Sequence, residues 1–286
     1  MGTLCLVATP IGNLEDITLR ALRVLREVSL IAAEDTRHTR TLLSRYDIHT
    51  PTTSYFEHNK LAKLDAILHA LESGDVALVS DAGMPGISDP GYELVRAALE
   101  AGFPVVPIPG ASAIVAALAA SGLPTDSFIY AGFLPRKAQE RRKFLLSLQT
   151  EQRTLMLYEA PHRLLDTLND ILGTLGDRPI AVARELTKLH EEFWRGTVSG
   201  AIAHFTDSTP RGEFTLVVGG AAEPGAWPEE QVRAALSERL AAGSSARDAA
   251  ADVAARSDWP KRSVYRMTQE FTTEAQRTRR KDQRER

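Results

Sequence analysis

Through the first 120 or so residues, short aliphatic runs alternate with stretches whose apolar positions recur every three or four residues. The runs Leu4 to Ala8, Leu30 to Ala33, Val76 to Ser80 and Val105 to Ile108 are apolar at nearly every position. Uninterrupted runs of this kind suit strands buried on both faces, as in a parallel sheet sandwiched between helices. The intervening segments "TLRALRVLREV" from Thr18, "LAKLDAILHALESG" from Leu61, "GYELVRAALEAG" from Gly91 and "ASAIVAALAASG" from Ala111 read as helices, the last three closed by Gly74, Gly102 and Gly122. From Phe128 onward the rhythm changes. Strands are expected at Phe128 to Gly132, Thr154 to Glu159, Ile180 to Arg184, Glu192 to Arg195 and Glu213 to Val218, with helices near Lys137 to Leu148 and His162 to Leu175. Several of these strands lie too close in sequence for a crossover helix, so the second sheet should be mixed. After "GGAAEPGAWP" only helical periodicity remains, at Glu229 to Ala242, Ser245 to Arg256 and Lys261 to Phe271. The pattern predicts an α/β protein with three parts: residues 1–123 with a parallel sheet, 124–222 with a mixed sheet, and a helical, helix-turn-helix-like extension over 223–286.

Composition fits this reading, with 286 residues, 43% hydrophobic and 25% charged, enough chain for two cores. No apolar run approaches the roughly 20 residues of a membrane span and the first residues lack a signal-peptide pattern, so a cytoplasmic protein is expected. The single cysteine, Cys5, rules out a disulfide framework and a cysteine metal cluster, and no other spacing suggests a metal site. Net charge is -3 and points to no partner, but its distribution does. Residues 224–286 hold 13 Lys and Arg against 10 Asp and Glu, a net +3, whereas the preceding 223 residues hold 21 against 27, a net -6. The excess peaks in "QRTRRKDQRER" (Gln276 to Arg286), a basic tail suited to solvation or to contact with a polyanion.

Candidate chemistry lies in the loops after the parallel strands, where open α/β sheets bind ligands. "SDAGMPGISDPG" (Ser80 to Gly91) packs three glycines and two prolines into twelve residues; the glycines let backbone groups approach a ligand closely, and the prolines fix the path. It is not a phosphate loop, having neither G-x-x-x-x-G-K-[ST] nor G-x-G-x-x-G, and with Asp81 and Asp89 it suits hydroxyl, amine and adenine groups better. "ATPIGNLEDIT" (Ala8 to Thr18), "AAEDTRHTR" (Ala32 to Arg40) and "PIPGASA" (Pro107 to Ala113) are read as loops on the same edge, the last opening a helix near Ser112.

Taken together these loops resemble the tetrapyrrole methylase superfamily of S-adenosylmethionine-dependent (class III) methyltransferases. "VATPIGNLEDITLRA", "AEDTRHTRTLL", "SDAGMPGISDPG", "PGASAIVAALAASGLP", "GFLPRK", "YEAPHR", "ARELTKLHEEFWRG" and "GEFTLVV" occur in the order of one branch, the bacterial ribosomal RNA small subunit methyltransferase I family. The resemblance covers roughly residues 4–220 and implies the two-domain tetrapyrrole methylase-like fold, S-adenosyl-L-methionine as cofactor, 2'-O-methylation of a cytidine ribose in the decoding region of 16S rRNA, a substrate within the small ribosomal subunit, and a homodimer. It further implies that the Pro10 loop walls the cofactor, that Asp81, Gly83 and Met84 contact its methionine and ribose, that Ser112 and Ala113 meet its carboxylate at a helix N-terminus, and that Tyr158, Ala160, Glu213 and Thr215 line its adenine.

Methyl transfer to a ribose hydroxyl requires in-line alignment and help in losing the proton. Glu34, Asp35 and Arg37 in one loop, and Arg184, Glu185 and Lys188 in another, are the candidates. A desolvated Lys188 beside cations could shed its proton near neutral pH, or it could hold an RNA phosphate; His58 and Asn59 are weaker candidates. Two other functions fit the pattern: a tetrapyrrole methylase of the same fold, and a ligand-sensing regulator whose last helices bind nucleic acid. The basic residues Lys261, Arg262, Arg266, Arg277, Arg279, Arg280 and Lys281 are the expected phosphate contacts.

Overall fold

The computed structural model describes residues 1–56, 60–206, 210–221 and 227–269, with the side chains of residues 60–62 not described. The chain forms two compact units, Met1–Ala221 and Ala222–Arg286. His58 and Asn59, and the tail with Arg277, Arg279, Arg280 and Lys281, lie outside the described residues.

The first unit contains two five-stranded sheets. In the first, β1 (Leu4–Val7), β2 (Leu30–Ala33), β3 (Thr52–Ser54), β4 (Val76–Val79) and β5 (Val105–Ile108) run in the order β3-β2-β4-β1-β5, every pair parallel. Helices α1 (Leu19–Glu27) and α2 (Thr36–Arg45) supply the core on one face, where Leu22, Leu25 and Leu42 meet Val7, Ile31 and Val79. On the other face α3 (Lys60–Ser73) and α4 (Tyr92–Glu100) bring Ile67, Leu71 and Leu94 against Leu4, Ala32 and Leu78. Burial on both faces accounts for the unbroken aliphatic strands. Strand β3 was not legible as one: Thr52–Ser54 is three half-buried polar residues on a sheet edge. The stretch read as a loop through Arg40 is instead mostly α2, started by Asp35, whose carboxylate accepts from the Arg37 N–H.

In the second sheet, β6 (Phe128–Phe133), β7 (Thr154–Glu159), β8 (Pro179–Arg184), β9 (Glu192–Thr197) and β10 (Phe214–Val218) take the order β6-β7-β10-β8-β9. Only β6 and β7 are parallel, so the sheet is mixed as expected. Helices α6 (Ala138–Ser147), α7 (Leu164–Leu175) and α8 (Val198–Thr206) contribute the core on one face, including Leu145, Leu168 and Phe205. Helix α8 was missed in the sequence. On the other face lies α5 (Ala113–Ser121): Ile114, Ala117 and Leu118 pack with Met156, Ala181, Ala183 and Val217. The helix that closes the first domain in sequence therefore covers the second sheet, and the chain boundary near Pro124 is not the packing boundary.

In the second unit, α9 (Glu229–Ala241), α10 (Ala246–Ser257) and a helix over 261–269 enclose Val232, Leu236, Ala250, Val253 and Val264. Trp259 Nε1 donates to the Trp227 carbonyl at 2.6 Å, and Arg256 lies 5.1 Å over the Trp227 ring. Lys261, Arg262 and Arg266 are exposed. Among the described residues no helix is long and apolar enough to cross a membrane.

Candidate functional site

The loop after β4 is pinned to the end of β1. Thr9 N–H donates to the Gly83 carbonyl at 2.9 Å, Gly83 N–H donates back to Thr9 at 3.1 Å, and Thr9 Oγ1 donates to the Ser80 carbonyl at 3.1 Å. Gly83 has φ +78°, a conformation that costs any L side chain and costs β-branched ones most. Alongside it begins α5, capped by Ser112, whose first N–H groups have no partner within the helix. Facing both is the edge of the second sheet. Tyr130 and Ser88 hydroxyls meet across the gap at 2.5 Å, and Asn13 N–H donates to Thr187 Oγ1 at 2.9 Å.

Between these walls lies a cavity of about 640 Å³, in the range of small-ligand sites. Of the residues singled out in the sequence, Gly83, Met84, Ser112, Ala113, Tyr158, Ala160, Glu213 and Thr215 all line it. Asp81 does not, which corrects one expectation; the Pro10 loop does wall the cavity, though not through Pro10 itself. Pro10 is buried, and its neighbour Ile11 forms the wall. Asp81 turns to the β2–α2 junction, where its carboxylate accepts from Asp35 N–H at 3.1 Å while its own N–H donates to Glu34 at 3.2 Å. Asp89, noted with Asp81 in the glycine-rich loop, does line the cavity, and the residues given no role in the sequence include Ser88 of that loop, Tyr130, Phe133 and Leu186.

The described lining contains three carboxylates, Asp89, Glu159 and Glu213, and no lysine or arginine. Glu159 is fully buried and committed, 3.3 Å from Arg163 Nε and accepting from Thr167 Oγ1 and Ala160 N–H. Glu213 is 79% exposed and paired with Lys188 at 3.1 Å. Asp89 is half-buried; burial, then the charge of Glu34, pushes its carboxyl up to about 7 despite a hydrogen bond from Ser80. Burial likewise raises Tyr130, and Tyr158 lies well above the ordinary tyrosine range. An apolar, anionic cavity with a helix N-terminus at one side suits a ligand carrying both positive charge and a carboxylate, and disfavours a polyphosphate.

None of the six proton-transfer candidates in these two loops, Glu34, Asp35, Arg37, Arg184, Glu185 and Lys188, lines this cavity. Asp35 and Arg37 pair at 2.7 Å beside a second hollow shared with Glu34, Ser54 and Phe56. Asp35 caps α2 and the Arg37 hydrogen bonds hold its carboxyl well below the usual range, while Arg37 is 87% exposed. Lys188 sits not beside cations but between two carboxylates, 2.8 Å from Glu185 and 3.1 Å from Glu213. Burial alone would lower its pKa, but both carboxylates reverse that and it lies above the ordinary lysine value, so it stays charged. Glu185 is in turn lowered by Lys188 and by the Glu213 N–H. Glu185 and Thr187 adopt positive φ, 49° and 66°, strain that this network holds in place. Among the described residues no group of three His, Cys, Asp or Glu is placed to hold a metal ion.

A family model described as Tetrapyrrole (Corrin/Porphyrin) Methylases matches residues 3–202. The chain is 52% identical over 275 residues, 95% of its length and 99% of the relative's, to the ribosomal RNA small subunit methyltransferase I of Synechocystis sp.. It is 47% identical to the Bacillus subtilis protein of that name over 93% of both chains. The Thermotoga maritima protein of that name is 54% identical and is covered over 99% of its length by 221 residues of this chain. Among solved structures, a cobalt precorrin-4 methyltransferase of cobalamin biosynthesis superposes with a TM-score of 0.59 at 17% identity, over 78% of this chain and 96% of its own. A uroporphyrin-III C-methyl transferase from Thermus thermophilus, complexed with S-adenosyl homocysteine, gives 0.52 at 20% identity, over 76% and 97%. At these identities the two structures speak for the fold.

Proposed function

The chain belongs to the ribosomal RNA small subunit methyltransferase I family of tetrapyrrole-type methylases, and from that premise we propose that it methylates ribosomal RNA with S-adenosyl-L-methionine as donor, the acceptor being the ribose 2'-oxygen of a cytidine in the decoding region of 16S rRNA. The observation that carries the reading is identity of about half of all positions, across nearly the whole chain, with proteins of that name. The cavity fits the donor: its carboxylates and apolar walls suit a sulfonium and an ammonium, and the start of α5 suits a carboxylate. The backbone of Gly83, with Met84, Ser112 and Ala113, would hold the amino-acid end, and Tyr158, Ala160 and Thr215 the adenine. When bound, the donor supplies an electrophilic methyl carbon. What the chain adds is orientation, a dry cavity and acceptance of a proton. The reading extends to the assembled small subunit as substrate, the cytoplasm as location and a homodimer as the acting form.

Incubating the chain with unmodified small ribosomal subunits and methyl-labelled S-adenosylmethionine is expected to place one label in 16S rRNA, on a cytidine ribose by mass-spectrometric mapping. Label on a base, or only on a tetrapyrrole offered in parallel, would refute the reading.

The helical unit is proposed to grip RNA phosphates through Lys261, Arg262 and Arg266, which are exposed, together with the basic tail. The Thermotoga maritima relative is matched almost end to end by 221 residues, a number equal to the length of Met1–Ala221, which supports a core sufficient for chemistry and an appendage that adds affinity. Truncation after Gly225 is therefore expected to leave donor binding intact and to weaken subunit binding. The slope of log affinity against log salt should fall by about 0.7 to 0.9 for each phosphate that is no longer neutralised. Unchanged affinity at every salt concentration would make the appendage purely structural.

A further inference from the structure

A ribose hydroxyl must lose its proton as it is methylated, and the cavity leaves few groups to take it. Glu159 has both oxygens engaged, by Arg163, Thr167 and the Ala160 N–H. Glu213 is solvent-exposed and bound to Lys188. The hydroxyls of Tyr130 and Tyr158 stay protonated, and Lys188 stays charged. Asp89 alone of the lining carboxylates is half-buried and free of a cationic partner among the described residues. The groups facing it are the Ser80 hydroxyl and Asp81 from its own loop, Glu34 from the end of β2, and Tyr130 and Tyr158 from the second sheet.

We propose that Asp89 is the proton acceptor of the methyl transfer. A lone pair on the acceptor oxygen forms the new C–O bond, the methyl C–S bond breaks with its electron pair passing to sulfur, and the hydroxyl proton goes to the Asp89 carboxylate. The products are the methyl ether, a neutral thioether and a carboxylic acid that releases its proton to water when the site opens. The position of Asp89 suits this task in a way that a freely solvated carboxylate does not. Burial and the charges of Glu34 and Asp81 give it the proton affinity of a base matched to neutral pH. The proposal rests on the reading that the acceptor is a hydroxyl.

The test uses the full chain on unmodified small subunits. With wild type, kcat/KM for the donor is expected to rise about tenfold between pH 6 and 8 and then level, because the base must be ionised in the free chain, where its carboxyl is pushed up to about 7. Asp89→Asn is expected to lower kcat at saturating donor by about 10²- to 10⁴-fold and to abolish that inflection, any weakening of donor binding from removal of a cavity carboxylate being read separately by calorimetry. Asp89→Glu should restore a pH-dependent part of the rate. Asp89→Asn turning over at the wild-type rate, or with an unchanged inflection, would overturn the proposal, as would a loss confined to donor affinity. A carbon-13 titration of the Asp89 carboxyl by NMR, which needs no turnover, is expected to show a midpoint near 7; a midpoint in the ordinary range near 4 would also overturn it. A wild-type chain that methylates no RNA hydroxyl would instead defeat the reading of function, leaving the titration to decide Asp89.

Discussion

Asp170→Ala is expected to destabilise the first unit by about 3–5 kcal/mol, seen as a fall in the urea midpoint at unchanged slope. Asp170 in α7 receives Arg141 Nε at 2.6 Å and Arg142 Nε at 2.7 Å, both from α6. The two arginines differ in what they lose. Arg141 is only 5% exposed and would be left as an unpaired charge in the core, whereas Arg142 is 60% exposed and would rehydrate. The cost therefore measures the orphaned guanidinium rather than the net worth of the pair. Arg142→Ala, by contrast, should cost under about 1 kcal/mol, as exposed pairs do. Equal losses from the two variants would show that burial of Arg141 is not the cause.

Gly83→Val is expected to raise the donor dissociation constant by about tenfold or more, equivalent to 1.4 kcal/mol. The obstacle is conformational. A Cβ built on Gly83 would lie 3.6 Å from Ile11 Cγ2 and 3.7 Å from the Ala111 carbonyl, ordinary contacts, but φ is +78°. A left-handed residue costs an L side chain about 1–2 kcal/mol, and more if β-branched, so the loop should leave its path, give up the paired Thr9–Gly83 hydrogen bonds and displace Met84. Gly83→Ala should show a smaller loss in the same direction. Calorimetry on variants with wild-type circular dichroism decides it; unchanged affinity in a folded valine variant would remove this loop from the site.

What could be seen in the sequence was what local rules determine. Strands such as Val76–Val79, buried at every position, must be aliphatic throughout, and the left-handed backbone of Gly83, φ +78°, favours glycine, so both leave marks in the chain. The three half-buried polar residues of β3 leave none. Charged neighbours were hidden for a different reason. Lys188 lies three residues from Glu185, but the partner that completes its cage, Glu213, arrives through the β8–β10 register, where Arg184 faces Phe214 and Glu185 N–H donates to the Glu213 carbonyl at 2.9 Å. Tyr130 likewise reaches the cavity where α5 packs on the second sheet. The proton affinity of Asp89 was hidden because burial, its largest cause, and the charge of Glu34, distant in sequence, both arise only in the fold.

The middle strand of the second sheet is also the last made. β10 (Phe214–Val218) inserts between β7 and β8, pairing with each over five residues, so until residue 218 has been synthesised those two strands hold open edges toward each other. Such unpaired edges invite wrong partners and slow the search for the right one. Phe214 and Thr215 also line the cavity. A nascent chain thus has neither a closed second sheet nor a complete cavity until the same five residues emerge, and a ribosome paused shortly before them would present a polypeptide with its sheet edges open and its cavity unformed.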